Sequence, residues 1–360
     1  MAKQKLLKLE AIRGLASIYV VIYHLFLIGV FITPYSVINN FFRFGQEAVI
    51  LFFVLSGFVI KYSQEKTSDK SFKTYFEKRF LRIYIPLILV FIANFLLFSW
   101  QENYWQSINW GNLVGNIFMF QDVDGLKPNV LVSPFLGNSP LWSLSYEWWF
   151  YMIFFILFKL NNKVSTKLVY VLGILSAISY IFYPNFINRI LMYLVIWWGG
   201  LEIADLYLKQ EQISIYNLRA YLLVLLVLTL ILGLNVYLNS IESISQFVQN
   251  IGLHPVLEFR HFLFAIIAIV LAIMWHKLNW RLFNYTILPF HRLAPISYCL
   301  YISHWFLVIK ATYLNDLISN TFLRVFIYLI VCLFFSYLVE KVVYTKVRNW
   351  FISYRRTLSV

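Results

Sequence analysis

Long apolar runs, each about as long as a lipid bilayer is thick, follow one another along almost the whole chain. A membrane-spanning helix needs about 20 mostly apolar residues, and ten such runs are bounded by charge, proline or glycine. The sequence therefore predicts an all-α integral membrane protein, a polytopic bundle of about ten transmembrane helices. The runs cover approximately residues 13 to 32, 44 to 61, 82 to 100, 142 to 159, 167 to 183, 187 to 208, 219 to 238, 260 to 276, 293 to 313 and 322 to 341.

The composition excludes the other common classes of protein. Hydrophobic residues make up 61% of the 360 residues and charged residues 13%, whereas soluble domains are near 45–50% apolar and about 25% charged. The two cysteines, Cys299 and Cys332, lie in apolar runs and are interpreted as packing residues. The first apolar run is too long for a signal peptide. We expect one membrane-embedded domain, residues 1–360, with no appended soluble domain.

The lysine and arginine residues predict the orientation. Ten spans place both termini on one side. If that side is the cytoplasm, 23 of these residues lie in cytoplasmic segments and 6 on the opposite face, as the positive-inside rule expects. Short basic loops near anionic lipid also account for the net charge of +14 without nucleic acid. We predict a multi-pass protein of the cytoplasmic (inner or plasma) membrane with both termini in the cytoplasm.

Two polar side chains in the first span are the clearest functional candidates, because a charged group at mid-helix costs on the order of 2.5–3.5 kcal/mol to insert. Arg13 and His24 are 11 residues apart, so at 100° per residue they share a helix face about 16 Å apart. Ser17 lies on the same face. Alternatively, His24 bonds a neighbouring helix and Arg13 extends its charge to the membrane surface.

A carboxylate stands at the external end of the fourth span. Glu147 follows the run Ser139 to Tyr146, at a depth that could match His24. A carboxylate beside an imidazole can set its tautomer and raise its basicity for general-base work. In the alternative interpretation, Ser143 or Ser145 caps an interfacial helix start and Glu147 complements the helix dipole.

Two further clusters lie near span ends. Arg79 and Arg82, three residues apart, share a helix face and could bind phosphate groups. Most such clusters, however, only fix the orientation of a span in the membrane. Ser56 and Gly57 form a small pair that favours close helix approach.

The ninth span carries a polar face of its own. Ser297, Tyr301 and His304 recur at helical spacing, and they either line a cavity or form an interhelical hydrogen-bond seam. The sequence has no cysteine or histidine pattern typical of structural zinc, no phosphate-binding loop and no Gly-x-Ser-x-Gly elbow.

These features occur together in an order that resembles acyltransferase family 3, a family of integral-membrane acyltransferases. Two positions depart from the family pattern: Trp148 replaces a second acidic or polar residue, and Ala294-Pro295 stands where a glycine is usual. The matching pieces are Arg13 with ten residues before His24, Phe53-Val-Leu-Ser-Gly-Phe58, Arg79-x-x-Arg82-Ile-x-x-Pro86, Pro140-Leu-Trp-Ser-Leu-Ser-x-Glu147 and Ile296-Ser-Tyr-x-Leu-Tyr-x-x-His304.

The resemblance implies an acyl-CoA-dependent O-acyltransferase. Such an enzyme moves an acyl group, usually acetyl, from cytoplasmic acetyl-CoA to a hydroxyl of a cell-surface or lipid-linked carbohydrate. Acetyl-CoA would be a co-substrate, with no permanently bound cofactor and no metal. His24 and Glu147 would be catalytic, and Arg13, Arg79 and Arg82 would bind the acyl donor. The candidates for lining a cavity are Ser17, Ser56, Ser143, Ser145, Tyr301 and His304.

Other functions stay open at this point. A transporter or flippase of lipid-linked sugar could use the same polar stripe, and it would be favoured by inverted repeats or paired broken helices. An unrelated membrane-bound O-acyltransferase would have its key histidine late in the chain. A structural or sensing protein would not be stabilised by acetyl-CoA. Direct transfer to the acceptor and transfer through an acyl-histidine are both compatible with the sequence.

Overall fold

The structure is a computed structural model that describes residues 2–31, 42–160, 162–239 and 243–358. These residues form a bundle of helices, and among them the only β-type pairing is one isolated bridge between Gln121 and Val132. The predicted all-α fold is therefore confirmed. The α-helices are α1 (Ala2–Leu27), α2 (Gly45–Lys66), α3 (Phe72–Gln101), α4 (Trp110–Ile117), α5 (Leu141–Phe158), α6 (Asn162–Phe182), α7 (Phe186–Leu208), α8 (Arg219–Leu238), α9 (Ile244–Gln249), α10 (Val256–Lys277), α11 (Phe283–Thr286), α12 (Ser297–His304), α13 (Thr321–Tyr337) and α14 (Tyr344–Leu358).

Eight helices in the described ranges are long and apolar enough to cross a membrane. The predicted spans 13–32 and 293–313 correspond to α1 and to the shorter apolar stretch Ala294–Ile309, which are not among the eight. The end of the first predicted span, residue 32, lies outside the described residues. The exact number of ten spans stays a prediction. The eight are α2, α3, α5, α6, α7, α8, α10 and the continuous helix that runs from α13 into α14.

Two spans differ from their predicted bounds for local reasons. Helix α3 begins at Phe72, ten residues before the predicted start, because the Ser71 side chain caps it by accepting the Thr74 N–H at 3.3 Å. The ninth span is shorter than predicted and is not a uniform α-helix. It starts as a 3₁₀ turn, Ala294–Ile296, with Pro295 in its first turn, continues as α12 and ends as the π-helical segment Trp305–Ile309.

Helices α2 and α7 cross at the centre of the bundle, where glycine is required on both sides. A Cβ atom built on Gly57 would lie 2.1 Å from the carbonyl oxygen of Trp197, and one on Gly200 would lie 2.0 Å from the carbonyl oxygen of Val54. The close approach predicted for the Ser56-Gly57 pair is therefore present. This contact fixes α2, which carries Phe52 and Ser56, against the rest of the bundle.

A buried ionic cluster fixes the segment before α5. The Lys127 ammonium lies 2.9 Å from Asp122, whose second carboxylate oxygen lies 3.2 Å from Arg189 on α7. All three side chains are almost fully buried, and burial lowers the pKa of Lys127, an effect that the Asp122 carboxylate opposes. Tyr146 on α5 donates to the same carboxylate at 2.6 Å, so the cluster sets the position of α5.

The start of α5 contradicts one alternative from the sequence. The helix begins at Leu141 after Pro140, with no side-chain cap, so neither Ser143 nor Ser145 is the capping residue. Ser143 lies inside the first turn instead, and its hydroxyl is 2.9 Å from that of Tyr301. The sequence could not distinguish these cases, because Pro140 suits the start of a helix as well as a serine does.

The glycine crossing generates a stability prediction. We expect Gly200→Ala to lower the free energy of unfolding by roughly 1–3 kcal/mol, since the added methyl must displace the Val54 carbonyl. Thermal unfolding of the detergent-solubilised protein measures this. Gly125→Ala is the matched control, because a Cβ there has no described atom within 4 Å. Equal melting temperatures for both variants would contradict the packing described here.

Candidate functional site

A cavity of about 790 Å³ reaches from the two terminal helices into the bundle. Leu6 of α1 and Ile352 of α14 line it on the side of the termini. Its inner part is lined by Phe52, Ser143 and Tyr301. Basic side chains dominate its charged lining, which comprises Arg13, Lys78, Arg79, Arg82 and Arg348 together with the acids Glu10, Glu77 and Glu147.

The two arginines of α3 have different surroundings, although both line the cavity. Arg82 donates to Glu340, whose side chain is only 1% exposed, and its guanidinium faces the rings of Tyr298 and Tyr344. Arg79 faces the rings of Tyr75 and Tyr151, and in the described part of the chain its buried Nε has no hydrogen-bond partner. Arg79 is thus available to a ligand, whereas Arg82 is held by the protein.

Arg13 and His24 share one face of α1, as their spacing predicts. The Arg13 guanidinium donates to the Ala294 carbonyl at 3.0 Å, and the His24 ring contacts His304. Both partners belong to the helical stretch Ala294–Ile309. The polar face predicted on the first span and the polar face predicted on the ninth span therefore pack against each other.

His24 and His304 form a hydrogen-bonded pair, with His24 Nδ1 and His304 Nε2 3.0 Å apart. His304 is completely buried, and its Nδ1 lies 2.6 Å from the Tyr301 carbonyl oxygen. The edge of Trp305 packs on the His24 ring at a centroid distance of 5.1 Å. This pair could move a proton at the nitrogen of His24 that faces away from His304.

Glu147 does not join this pair, contrary to the arrangement expected from the sequence. Its carboxylate accepts a hydrogen bond from Ser56 at 2.6 Å and another from Tyr151, and the side chain lines the cavity. Trp197 donates to the same Ser56 hydroxyl at 3.2 Å. The acidic residue belongs to the cavity wall, where α2 supplies the serine that donates to it.

Two aromatic rings of the cavity lining pack together, and one of them contacts the histidine pair. Phe52 and Tyr301 have ring centroids 5.8 Å apart, and the Tyr301 hydroxyl lies 2.9 Å from that of Ser143. On its other side Tyr301 is 6.0 Å from the His304 ring. The inner end of the cavity is therefore within about one helical turn of His304.

The remaining candidates divide between the cavity and the packed interior. Ser56, Ser143 and Tyr301 line the cavity. Ser17 is buried and donates to the Gly14 carbonyl at 2.7 Å, and Ser145 is buried too; neither is among the cavity-lining residues. The described residues contain no group of three or more histidine, cysteine, aspartate or glutamate side chains that could hold a metal ion.

The C-terminal segment contributes to the cavity, which its sequence pattern does not predict. Tyr344, Arg348, Phe351 and Ile352 of α14 line the cavity, and Glu340 holds Arg82. From the sequence alone, the basic residues of this segment indicate only its orientation in the membrane. In α14, basic residues alternate with aromatic and apolar ones. This pattern is typical of an amphipathic helix, and it is the one sequence signal that this helix does more than set the orientation.

The contrast between the two arginines generates a stability prediction. We expect Arg82→Gln to lower the free energy of unfolding by roughly 1–3 kcal/mol, because it leaves the buried Glu340 carboxylate without its ionic partner. Arg79→Gln removes no ion pair and should cost less. The melting temperatures of both detergent-solubilised variants measure the difference. A larger loss for Arg79→Gln would contradict the described pairing.

Comparison with known proteins finds a family model that matches nearly the whole chain. The model of a family described as an acyltransferase domain matches residues 6–341. Acyltransferase MdmB of Streptomyces mycarofaciens is 34% identical over 126 residues, which are 34% of this chain and 31% of that protein. Peptidoglycan O-acetyltransferase OatA of Listeria monocytogenes is 30% identical over 191 residues, 47% of this chain and 28% of that protein.

The matched segments span less than a third of the length of these two relatives. No solved structure matches the chain.

Proposed function

Because the chain belongs to the acyltransferase family whose model spans it, we propose that it transfers an acyl group from a coenzyme A thioester to a hydroxyl of a carbohydrate. One observation carries this proposal. A cavity rich in basic groups reaches from the two terminal helices into the bundle and ends within about one helical turn of the buried His304, which pairs with His24. Such a path suits a donor with an anionic head and a reactive end.

The lining of the cavity supports an acyl-CoA donor. Its volume of about 790 Å³ lies in the range of ligand pockets. Phosphate groups of the donor would bind Arg79, whose guanidinium has no ion pair among the described residues, with Lys78 and Arg348 nearby. Arg82 would contribute charge while held by Glu340, and Arg13 would contribute it further inside.

The sidedness of the reaction rests on the distribution of charge. The basic residues at the cavity mouth belong to the segments that the positive-inside rule assigns to the cytoplasm. In this proposal acetyl-CoA enters from the cytoplasm, the protein resides in the cytoplasmic membrane, and the acceptor reaches His24 from the other face.

His24 would act as the general base. As the acceptor oxygen attacks the thioester carbonyl, His24 takes the hydroxyl proton, the carbon–sulfur bond breaks, and the proton passes to the departing thiolate. In the two-step route, His24 attacks the thioester carbonyl first, the carbon–sulfur bond breaks and the thiolate leaves. The acceptor oxygen then takes the acyl group from the ring as the carbon–nitrogen bond breaks, and its hydroxyl proton passes to the thiolate. Both routes need one unprotonated ring nitrogen on His24.

Glu147 would act on the donor rather than on His24. Its carboxylate lines the cavity, fixed there by Ser56 and Tyr151. A carboxylate with remaining lone pairs can accept hydrogen bonds from the amide N–H groups of the pantetheine arm. The proposal thus keeps Glu147 in the site and gives it a positioning role.

The acceptor class rests on the relatives. One of them is named as an O-acetyltransferase of peptidoglycan, a carbohydrate polymer, and we propose a cell-surface or lipid-linked carbohydrate for this chain. The acyl group is proposed to be acetyl. Mass spectrometry of surface glycans from cells with and without the gene tests both points, since acetylation adds the mass of one acetyl group per modified hydroxyl.

His24→Ala tests the chemistry. We expect membrane-inserted His24→Ala protein at wild-type abundance to leave the glycans unacetylated, with activity reduced at least about 100-fold, because a positioned general base contributes roughly 10²- to 10⁴-fold. His276→Ala is the matched control, since this histidine at the end of α10 lies outside the cavity lining. Wild-type acetylation by His24→Ala would refute the proposed mechanism.

Arg79→Gln tests the donor site. We expect the KM for acetyl-CoA in membrane vesicles to rise about 10- to 100-fold with little change in kcat. The reason is that the variant loses one charge-assisted hydrogen bond to phosphate. Release of free thiol measures the rate. Arg219→Gln is the control, because Arg219 packs on the Tyr216 ring and does not line the cavity. An unchanged KM for Arg79→Gln would remove Arg79 from the donor site.

A further inference from the structure

We propose that His304 is a positioning residue that holds His24 in one tautomer, with the hydrogen on Nδ1 and the lone pair on Nε2. This inference rests on the proposed function, because it states how His24 is made ready to accept a proton. It assigns to His304, and to the backbone carbonyl of Tyr301, the role that the sequence suggested for Glu147.

The first step is the tautomer of His304. Its Nδ1 lies 2.6 Å from the Tyr301 carbonyl oxygen and 3.3 Å from the Leu300 carbonyl oxygen. A carbonyl oxygen can only accept a hydrogen bond, so the hydrogen must be on Nδ1 of His304. In the neutral ring, Nε2 then carries the lone pair and can only accept.

The second step is the tautomer of His24. His304 Nε2 lies 3.0 Å from His24 Nδ1. Because Nε2 of His304 accepts, Nδ1 of His24 must donate. The hydrogen of a neutral His24 ring is therefore on Nδ1, and its Nε2 is left with the free lone pair that a general base or a nucleophile requires.

We assign both rings as neutral because no carboxylate pairs with either of them in the part of the chain that the structure describes. A buried imidazolium without such a partner is unfavourable. The pair therefore works by orientation, in contrast to a carboxylate–histidine pair, which also supplies charge.

The surroundings hold the rings in place. Trp305 packs edge-on against His24, with ring centroids 5.1 Å apart. The centroid of the Tyr23 ring lies 4.8 Å from that of His24. His304 closes α12, and the helix continues as the π-helical segment Trp305–Ile309. Such changes of helical register are frequent at functional sites.

A pair of variants separates orientation from packing. We expect His304→Leu to lower kcat about 10- to 100-fold at unchanged KM for acetyl-CoA, since His304 does not line the donor cavity. His304→Gln, of similar size, presents an oxygen that can accept from His24 Nδ1, and we expect at least a tenfold higher kcat than for His304→Leu. Membrane vesicles containing the native acceptor and acetyl-CoA provide the assay.

The outcomes are distinct. Wild-type kcat in His304→Leu, or equal losses in His304→Leu and His304→Gln, would overturn the inference. If His24→Ala itself stays active, the proposed function fails instead, and the tautomer assignment is then decided by spectroscopy alone.

Nitrogen-15 NMR of the wild-type protein tests the tautomer without any dependence on folding of a variant. The protein is labelled at histidine, and the His24 signals are assigned by their absence in His24→Ala. We expect a protonated Nδ1 and an unprotonated Nε2 for His24, and the same for His304. A hydrogen on Nε2 of His24, or a doubly protonated ring, would overturn the inference.

Discussion

The packing of α1 against the stretch Ala294–Ile309 is the contact on which the rest of the site depends. A membrane interior offers no water, so every polar group there must find a partner within the protein. Arg13 finds the Ala294 carbonyl and His24 finds His304. The two polar faces therefore pair with each other. This pairing places the histidine pair beside the inner end of the cavity.

The fold was largely predictable because its signals are local. Apolar runs give the spans, and the 100° spacing gives the shared face of Arg13 and His24. The glycine at position 57 marked a close helix approach, and the structure places a carbonyl oxygen against it. Boundaries were less predictable where a cap such as Ser71 extends a helix beyond its apolar part.

The partners within the site were not predictable, because they are distant in sequence. His24 and His304 are separated by 280 positions, and Arg82 and Glu340 by 258. A sequence gives the depth of a residue in the membrane but not which helices are neighbours. Glu147 illustrates this: its expected depth suggested contact with His24, whereas α2 lies beside it and supplies Ser56. Local patterns identify the polar groups, and only the packing of the helices pairs them.

The aromatic rings at the inner end of the cavity have a consequence for the cell as a whole. A cavity that ran through the whole bundle would offer water a continuous path across the bilayer. Phe52 and Tyr301 line the cavity side by side, and the Tyr301 ring lies against the His304 ring. Bulky rings at this position would narrow any aqueous path between the cavity and the opposite face.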